Sequence, residues 1–170
     1  MQVYTALRQR TTLGLKLHVL SNGTGDAAEL VARLGPNGRF EIGYTLIAEL
    51  AAEVTQLKES HHFYPIIFYF RFREPFYSVS NVAQLALEAA ALIKTAMNDD
   101  EYSWLKQSAA VSKLGSSAKS LVQLLDQAFL LGGAPGADQF SEDDLKSWRA
   151  RIIQAIAVTR AAGIKTTRNE

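Results

Sequence analysis

Apolar positions along most of this chain recur three and four residues apart, the spacing that lines one face of an α-helix. Val3, Leu7, Leu13, Leu17 and Leu20, with Arg8, Arg10 and Lys16 between them, predict a helix over residues 3–20 that stops at the turn signal Ser21-Asn22-Gly23. A shorter helix over 24–34 presents Ala27, Leu30, Val31 and Leu34 on one face and stops at Gly35-Pro36. Residues 41–59 repeat Ile42, Leu46, Leu50, Val54 and Leu57, with Glu49, Glu53 and Lys58 off that stripe, and predict a long amphipathic helix.

The rhythm breaks at residues 60–78, which hold eight of the sixteen aromatic residues in nineteen positions. Pro65 and Pro75 bracket residues 66–72, and each proline removes a backbone donor. The interval is therefore a short strand or a helix opened by Pro65 in its first turn. No second β-rich run exists to pair with a strand, so the helix is favoured.

Periodicity resumes beyond it. Ser78 or Asn81 caps a helix carrying Val82, Leu85, Ala89, Leu92, Ile93 and Ala96, which ends at Asn98 and whose alanines let another helix approach closely. Asp99 or Asp100 opens the next stretch, through Tyr102, Trp104 and Leu114, and the pattern continues after Gly115 as Leu121, Leu124, Leu125, Ala128 and Leu131. One helix with a weak point at Gly115-Ser-Ser, or two helices, both fit. Residues 132–138 read as a loop, Ser141 with Asp144 as a capping box opening a helix to about residue 162, and residues 166–170 as a frayed tail. The expectation is an all-α, single-domain bundle of six or seven helices spanning 1–170, with an aromatic, proline-bracketed segment.

Composition narrows the classes of function. At 170 residues and 48% hydrophobic content the chain can bury roughly 70% of its unfolded surface, enough for one core. Eighteen basic against seventeen acidic residues leave a net charge of +1, so no global field recruits nucleic acid, and no nucleic-acid partner is expected. Without Cys there is no disulfide, thiolate metal site or cysteine nucleophile, which fits the cytoplasm. Arg8, Arg10 and Lys16 interrupt what would be the apolar core of a signal peptide, and no apolar run is long enough to span a bilayer.

Candidate chemistry is sparse. His61 and His62 are adjacent, so on a helix they point about 100° apart and cannot share a metal. No serine sits in a nucleophile elbow, and the acids at 99–101 and 142–144 are explained by helix starts. Gly132-Gly-Ala-Pro-Gly136 lacks the Lys-Ser or Lys-Thr ending of a phosphate loop. Arg71 and Arg73 alternate with Phe70 and Phe72 as a basic-aromatic surface would, but Ile66, Ile67 and Phe68 beside them favour a core with snorkelling arginines. No catalytic residue, cofactor or metal is expected.

The segment Ser60-His61-His62-Phe63-Tyr64-Pro65-Ile66-Ile67-Phe68-Tyr69-Phe70-Arg71 resembles the Ser-His-x-x-Tyr-Pro-Val-Leu-x-Tyr-Phe-Arg pattern in the cytoplasmic part of bacterial two-transmembrane, pore-loop channel proteins of the potassium-channel type. Val3-Tyr4-Thr5-Ala6-Leu7-Arg8 is similar to that family's exit from the inner pore helix, and Ala27-Ala28-Glu29-Leu30 and residues 49–59 to the two helices that lead into the motif. Ser78, Leu85, Leu87 and Leu92 fall at the family's spacing, and Glu88 stands where Asp is usual, so the resemblance covers about residues 3–97. Phe72-Arg-Glu-Pro-Phe76 departs from it, and Glu41-Ile-Gly-Tyr-Thr45 is not a selectivity filter.

The resemblance implies a non-enzymatic cytoplasmic assembly or gating domain at the inner face of the cell membrane, with residues 1–20 continuing a pore-lining helix. It implies a homo-oligomer and, as partner, the transmembrane pore region of the same protein. Arg8 and Arg10 would then obey the positive-inside tendency. Ser60, His61, Tyr64, Pro65, Tyr69 and Arg71 form the expected structural motif, with Glu88 pairing to Arg71 or Arg73. The rival expectations are a small enzyme or ligand-binding protein with a pocket lined by His61, Tyr69 and Glu88, and a free-standing helical adaptor.

Overall fold

The computed structural model describes residues 2–130 and 141–167. The expected loop at 132–138 and the outermost residues 168–170 lie outside the described part. Among the described residues there are seven α-helices: α1 (Gln2–Leu20), α2 (Ala27–Leu34), α3 (Glu41–Phe63), α4 (Val79–Ala96), α5 (Asp99–Lys106), α6 (Ala109–Phe129) and α7 (Glu142–Ala161). Three short 3-10 turns join them, at Pro36–Gly38, Pro65–Tyr69 and Pro75–Tyr77. The all-α bundle expected from periodicity is the observed architecture.

Helix α6 lies along both α3 and α4, and this three-helix contact forms the centre of the core. Leu50, Val54 and Leu57 of α3, Val82, Leu85, Ala89 and Ile93 of α4, and Val111, Leu114, Ala118 and Leu121 of α6 are buried together. Small residues bring these helices close, with Gly115 of α6 facing Ala90 of α4. The Thr55 and Ser117 hydroxyls share a 2.7 Å hydrogen bond across α3 and α6. Helix α2 packs on α4 and also carries α7, while α1 runs antiparallel to α3. Lys16 pairs with Glu49 and Glu53 at 3.3 and 3.1 Å, Ser60 donates to Gln9, and Tyr64 donates to Gln2, which fixes that direction.

Several boundaries differ from the sequence expectation, each for a local reason. Helix α2 starts at Ala27 rather than at Thr24, because Asp26 caps it by accepting from the Ala28 amide at 2.8 Å. Helix α3 continues to Phe63, four residues past the expected end. The stripe of α3 holds at Leu50, Val54 and Leu57 but is shifted by one residue at the start of the helix, where Ile42 is 81% exposed and Gly43 and Ile47 face inward. Gly43 is needed there because a Cβ would collide with the Leu34 carbonyl.

The break between α5 and α6 falls at Gln107 and Ser108, where the Ser108 hydroxyl caps α6 by accepting from the Val111 amide. Gly115 lies inside the helix. Asn98 caps α5, followed by three acids in its first turn, and Ser141 with Asp144 forms a capping box at the start of α7. The tail reading is corrected for residues 166 and 167. Thr166 pairs with Met97, Thr167 donates its amide to Ala96 at 2.8 Å, and Asn98 donates to Lys165 at 3.0 Å.

Candidate functional site

The aromatic segment is organised from outside itself, by one arginine of α1. Ala6, Arg10, Leu13, Gly14 and Leu17 are the buried positions of that helix, so Arg10 occupies its core stripe. Only 5% exposed, its guanidinium donates to the Tyr77 carbonyl at 2.8 Å and to the Ile67 carbonyl at 3.1 Å, and lies 4.9 Å over the Phe72 ring. Burial pushes its pKa down from the ordinary value. One cation thus ties both 3-10 turns of the segment to α1.

Helix α1 also meets the second turn at Gly14 and at His18, whose ring stacks on Phe76 at 4.1 Å and 12°. Pro65 opens the first turn, whose fixed φ and missing donor suit that position. The residues 66–72, expected to be helical, form a 3-10 helix only as far as Tyr69; Phe70 is extended and residues 71–72 have no regular structure.

His61, in the last turn of α3, is fully buried beneath this segment. Its Nδ1 is 2.9 Å from the Leu57 carbonyl and therefore carries the proton, and its ring packs on Phe68 at 4.7 Å. The remaining ring nitrogen, Nε2, is buried and, among the described residues, has no hydrogen-bond partner. Burial, with the nearby Arg10 charge, depresses the His61 pKa against the opposing effect of the Leu57 hydrogen bond. A neutral imidazole is what this place accepts.

The expectation of a core segment with snorkelling arginines is overturned. Only Ile67 of residues 62–78 is buried; Phe63, Ile66, Tyr69, Phe70 and Phe72 are exposed, as are Arg71 and Arg73. Five large apolar side chains of one short segment are thus left without cover among the described residues. The arginine that holds the segment is Arg10, which sequence reasoning placed between apolar positions. Its signal was legible: Ala6, Arg10, Leu13 and Leu17 keep the four-three-four spacing of one helix face.

Of the motif residues, Ser60 and Tyr64 bond to α1, Pro65 starts the first turn, His61 lies beneath it, and Tyr69 and Arg71 face solvent. Glu88 is elsewhere. It accepts from Gln84 at 3.0 Å and pairs with Arg151 of α7 at 3.1 Å, not with Arg71 or Arg73, because α4 carries it towards α7. His61, Tyr69 and Glu88 therefore do not line a common pocket.

Two grooves are present among the described residues. One of about 450 Å³ lies between α4 and α7, bordered by Leu92, Thr95, Trp148, Ile152, Glu88 and Arg151. The other, of about 490 Å³, runs between the aromatic segment and the end of α6, bordered by Arg10, Phe68, Phe72, Ser78, Leu125 and Phe129. Among the described residues no group of three His, Asp or Glu sits together to hold a metal. No described helix is long and apolar enough to cross a membrane. Compared with protein-family models, curated proteins and solved structures, the chain matches none.

Proposed function

We propose that this chain is a non-enzymatic assembly or gating domain of a bacterial ion-channel protein of the pore-loop type, working at the inner face of the membrane and in a homo-oligomer. The observation that carries the reading is the Arg10 clamp. In the proteins that the sequence resembles, the equivalent of α1 follows the inner pore helix. A displacement of α1 would have to break both Arg10 hydrogen bonds or move the two aromatic turns with it. Such a helix is coupled to the segment, and any contact that differs between two positions of the segment biases α1 in turn.

The natural reading frame around residue 1 and the flux of its product test this. Two apolar spans and a pore loop ahead of α1, with potassium flux in liposomes whose voltage or ligand response shifts on Arg10→Ala, support the reading. A natural start at Met1 with no spans in the same protein overturns it.

The α4–α7 groove favours a second reading, a small-ligand site of mixed apolar and ion-paired character. Saturable quenching of tryptophan fluorescence by an amphipathic ligand, lost in Ile152→Glu, supports it.

A further inference from the structure

Three antiparallel and parallel contacts bring four chain segments to one end of the bundle. Gln2 of α1 meets Tyr64 just past α3, and Phe129 at the end of α6 meets both Phe68 and Tyr69, at 5.4 and 6.5 Å. The start of α1, the end of α3, the first aromatic turn and the end of α6 therefore share this end. Ile66 and Tyr69 are three residues apart in a 3-10 turn, which eclipses their side chains. They are 60% and 75% exposed, beside Phe63 at 70% and Phe129 at 52%.

A contiguous exposed patch of this kind marks a surface that something covers. Charge indicates what. Residues 60–73 contain two arginines and two histidines and no acid. Arg71 and Arg73 are exposed, and among the described residues neither belongs to any ion pair. The nearest acids in sequence are Glu59, held by Lys58 at 2.8 Å, and Glu74, which with Asp126 and Arg71 itself borders the groove beside the end of α6 without forming an ion pair to either arginine among the described residues. Aromatic side chains with amphipathic Tyr among them, alternating with unpaired guanidinium groups, are the chemistry that settles at a headgroup layer.

We propose that this aromatic end is a docking surface for an anionic lipid bilayer, with Phe63, Ile66 and Tyr69 entering the interface and Arg71 and Arg73 meeting the headgroup phosphates. The inference rests on the reading above in placing this end towards a membrane, but it does not need a pore. Docked in this way, the segment and the α1 helix clamped to it by Arg10 are held together at the membrane surface.

Sedimentation of the full 170-residue chain with vesicles tests it. The wild type is expected to pellet with equimolar phosphatidylglycerol and phosphatidylcholine, to stay in solution with phosphatidylcholine alone, and to be released by salt. Arg71→Ala with Arg73→Ala weakens binding on the order of 30-fold, from about 1 kcal/mol per cation at an anionic surface. Ile66→Ser with Tyr69→Ser weakens it by about tenfold or more, and because these four side chains are exposed, circular dichroism remains that of the wild type.

Absence of anionic-vesicle binding, or binding by either double variant as tight as that of the wild type, overturns the proposal. So does light scattering that finds a vesicle-free oligomer dissolved by Ile66→Ser with Tyr69→Ser, since the patch is then a protein interface. A reading frame without spans would sink the channel reading while leaving vesicle binding intact, whereas a working pore whose domain ignores vesicles would sink only the surface.

Discussion

Gly14 of α1 lies against Phe76 so closely that a Cβ at position 14 would stand 2.6 Å from the Phe76 carbonyl oxygen. Both sides of this contact are backbone, so neither can rotate away. Gly14→Ala gains about 1 kcal/mol of helix propensity and meets an overpacking cost of up to about 3 kcal/mol. The expected net result is a thermal midpoint lowered by several degrees, read by circular dichroism; a raised midpoint would show that the second aromatic turn is not held at α1.

Arg10 supplies charged hydrogen bonds to two carbonyls that no other described side chain reaches. Each such bond contributes about 1.5–3 kcal/mol, so Arg10→Ala should destabilise the fold by about 3 kcal/mol or more in urea. Arg10→Lys keeps the charge but loses the fork that spans Ile67 and Tyr77, and it should recover less than half of the loss. Full recovery by lysine would mean that charge alone holds the segment.

His61 gives the fold an acid limit. Because its folded pKa lies below the ordinary value of 6.5, the unfolded chain binds its proton first as the pH falls. Its contribution is complete above pH 6.5 and is lost on descending from 6.5 through the folded pKa, at up to about 1.4 kcal/mol per pH unit. His61→Leu should flatten the stability profile in that window relative to the wild type, measured by denaturant unfolding. An unchanged slope would place the proton on another group.

Glu88 and Arg151 make the opposite case. Their side chains are 38% and 60% exposed, and exposed ion pairs contribute from nothing to about 1 kcal/mol. Glu88→Gln should therefore shift the unfolding midpoint barely above error, and the shift should vanish in high salt. A loss comparable to that of Arg10→Ala would show that α7 depends on this pair for its attachment.

Helix stripes were legible because they are local. Val82, Leu85, Ala89 and Ile93 of α4 are buried where their spacing puts them, and Ser78 caps the helix. What failed depended on partners. Ile42 and Ile47 both suit a helix face, and the choice between them is made by Leu34 pressing on Gly43, a position with no hydrophobic signal of its own. The Arg10 clamp was written in the register of α1 but masked by the residue's charge. The aromatic segment was misread because apolar composition says that a side chain favours cover and is silent about whether this chain provides it.

The strand-like link that joins residues 165–167 to Ala96, Met97 and Asn98 spans up to 71 positions of sequence, from Thr167 to Ala96, with the Thr167 hydroxyl donating to Met97 at 3.1 Å. During synthesis the corner between α4 and α5 therefore leaves the ribosome long before its partner does. The helices from α1 to α6 can associate in the order of their emergence, but this corner stays open until translation has passed Thr167. Closing that ring is a late event on the folding path, limited by the arrival of chain rather than by the strength of the contact.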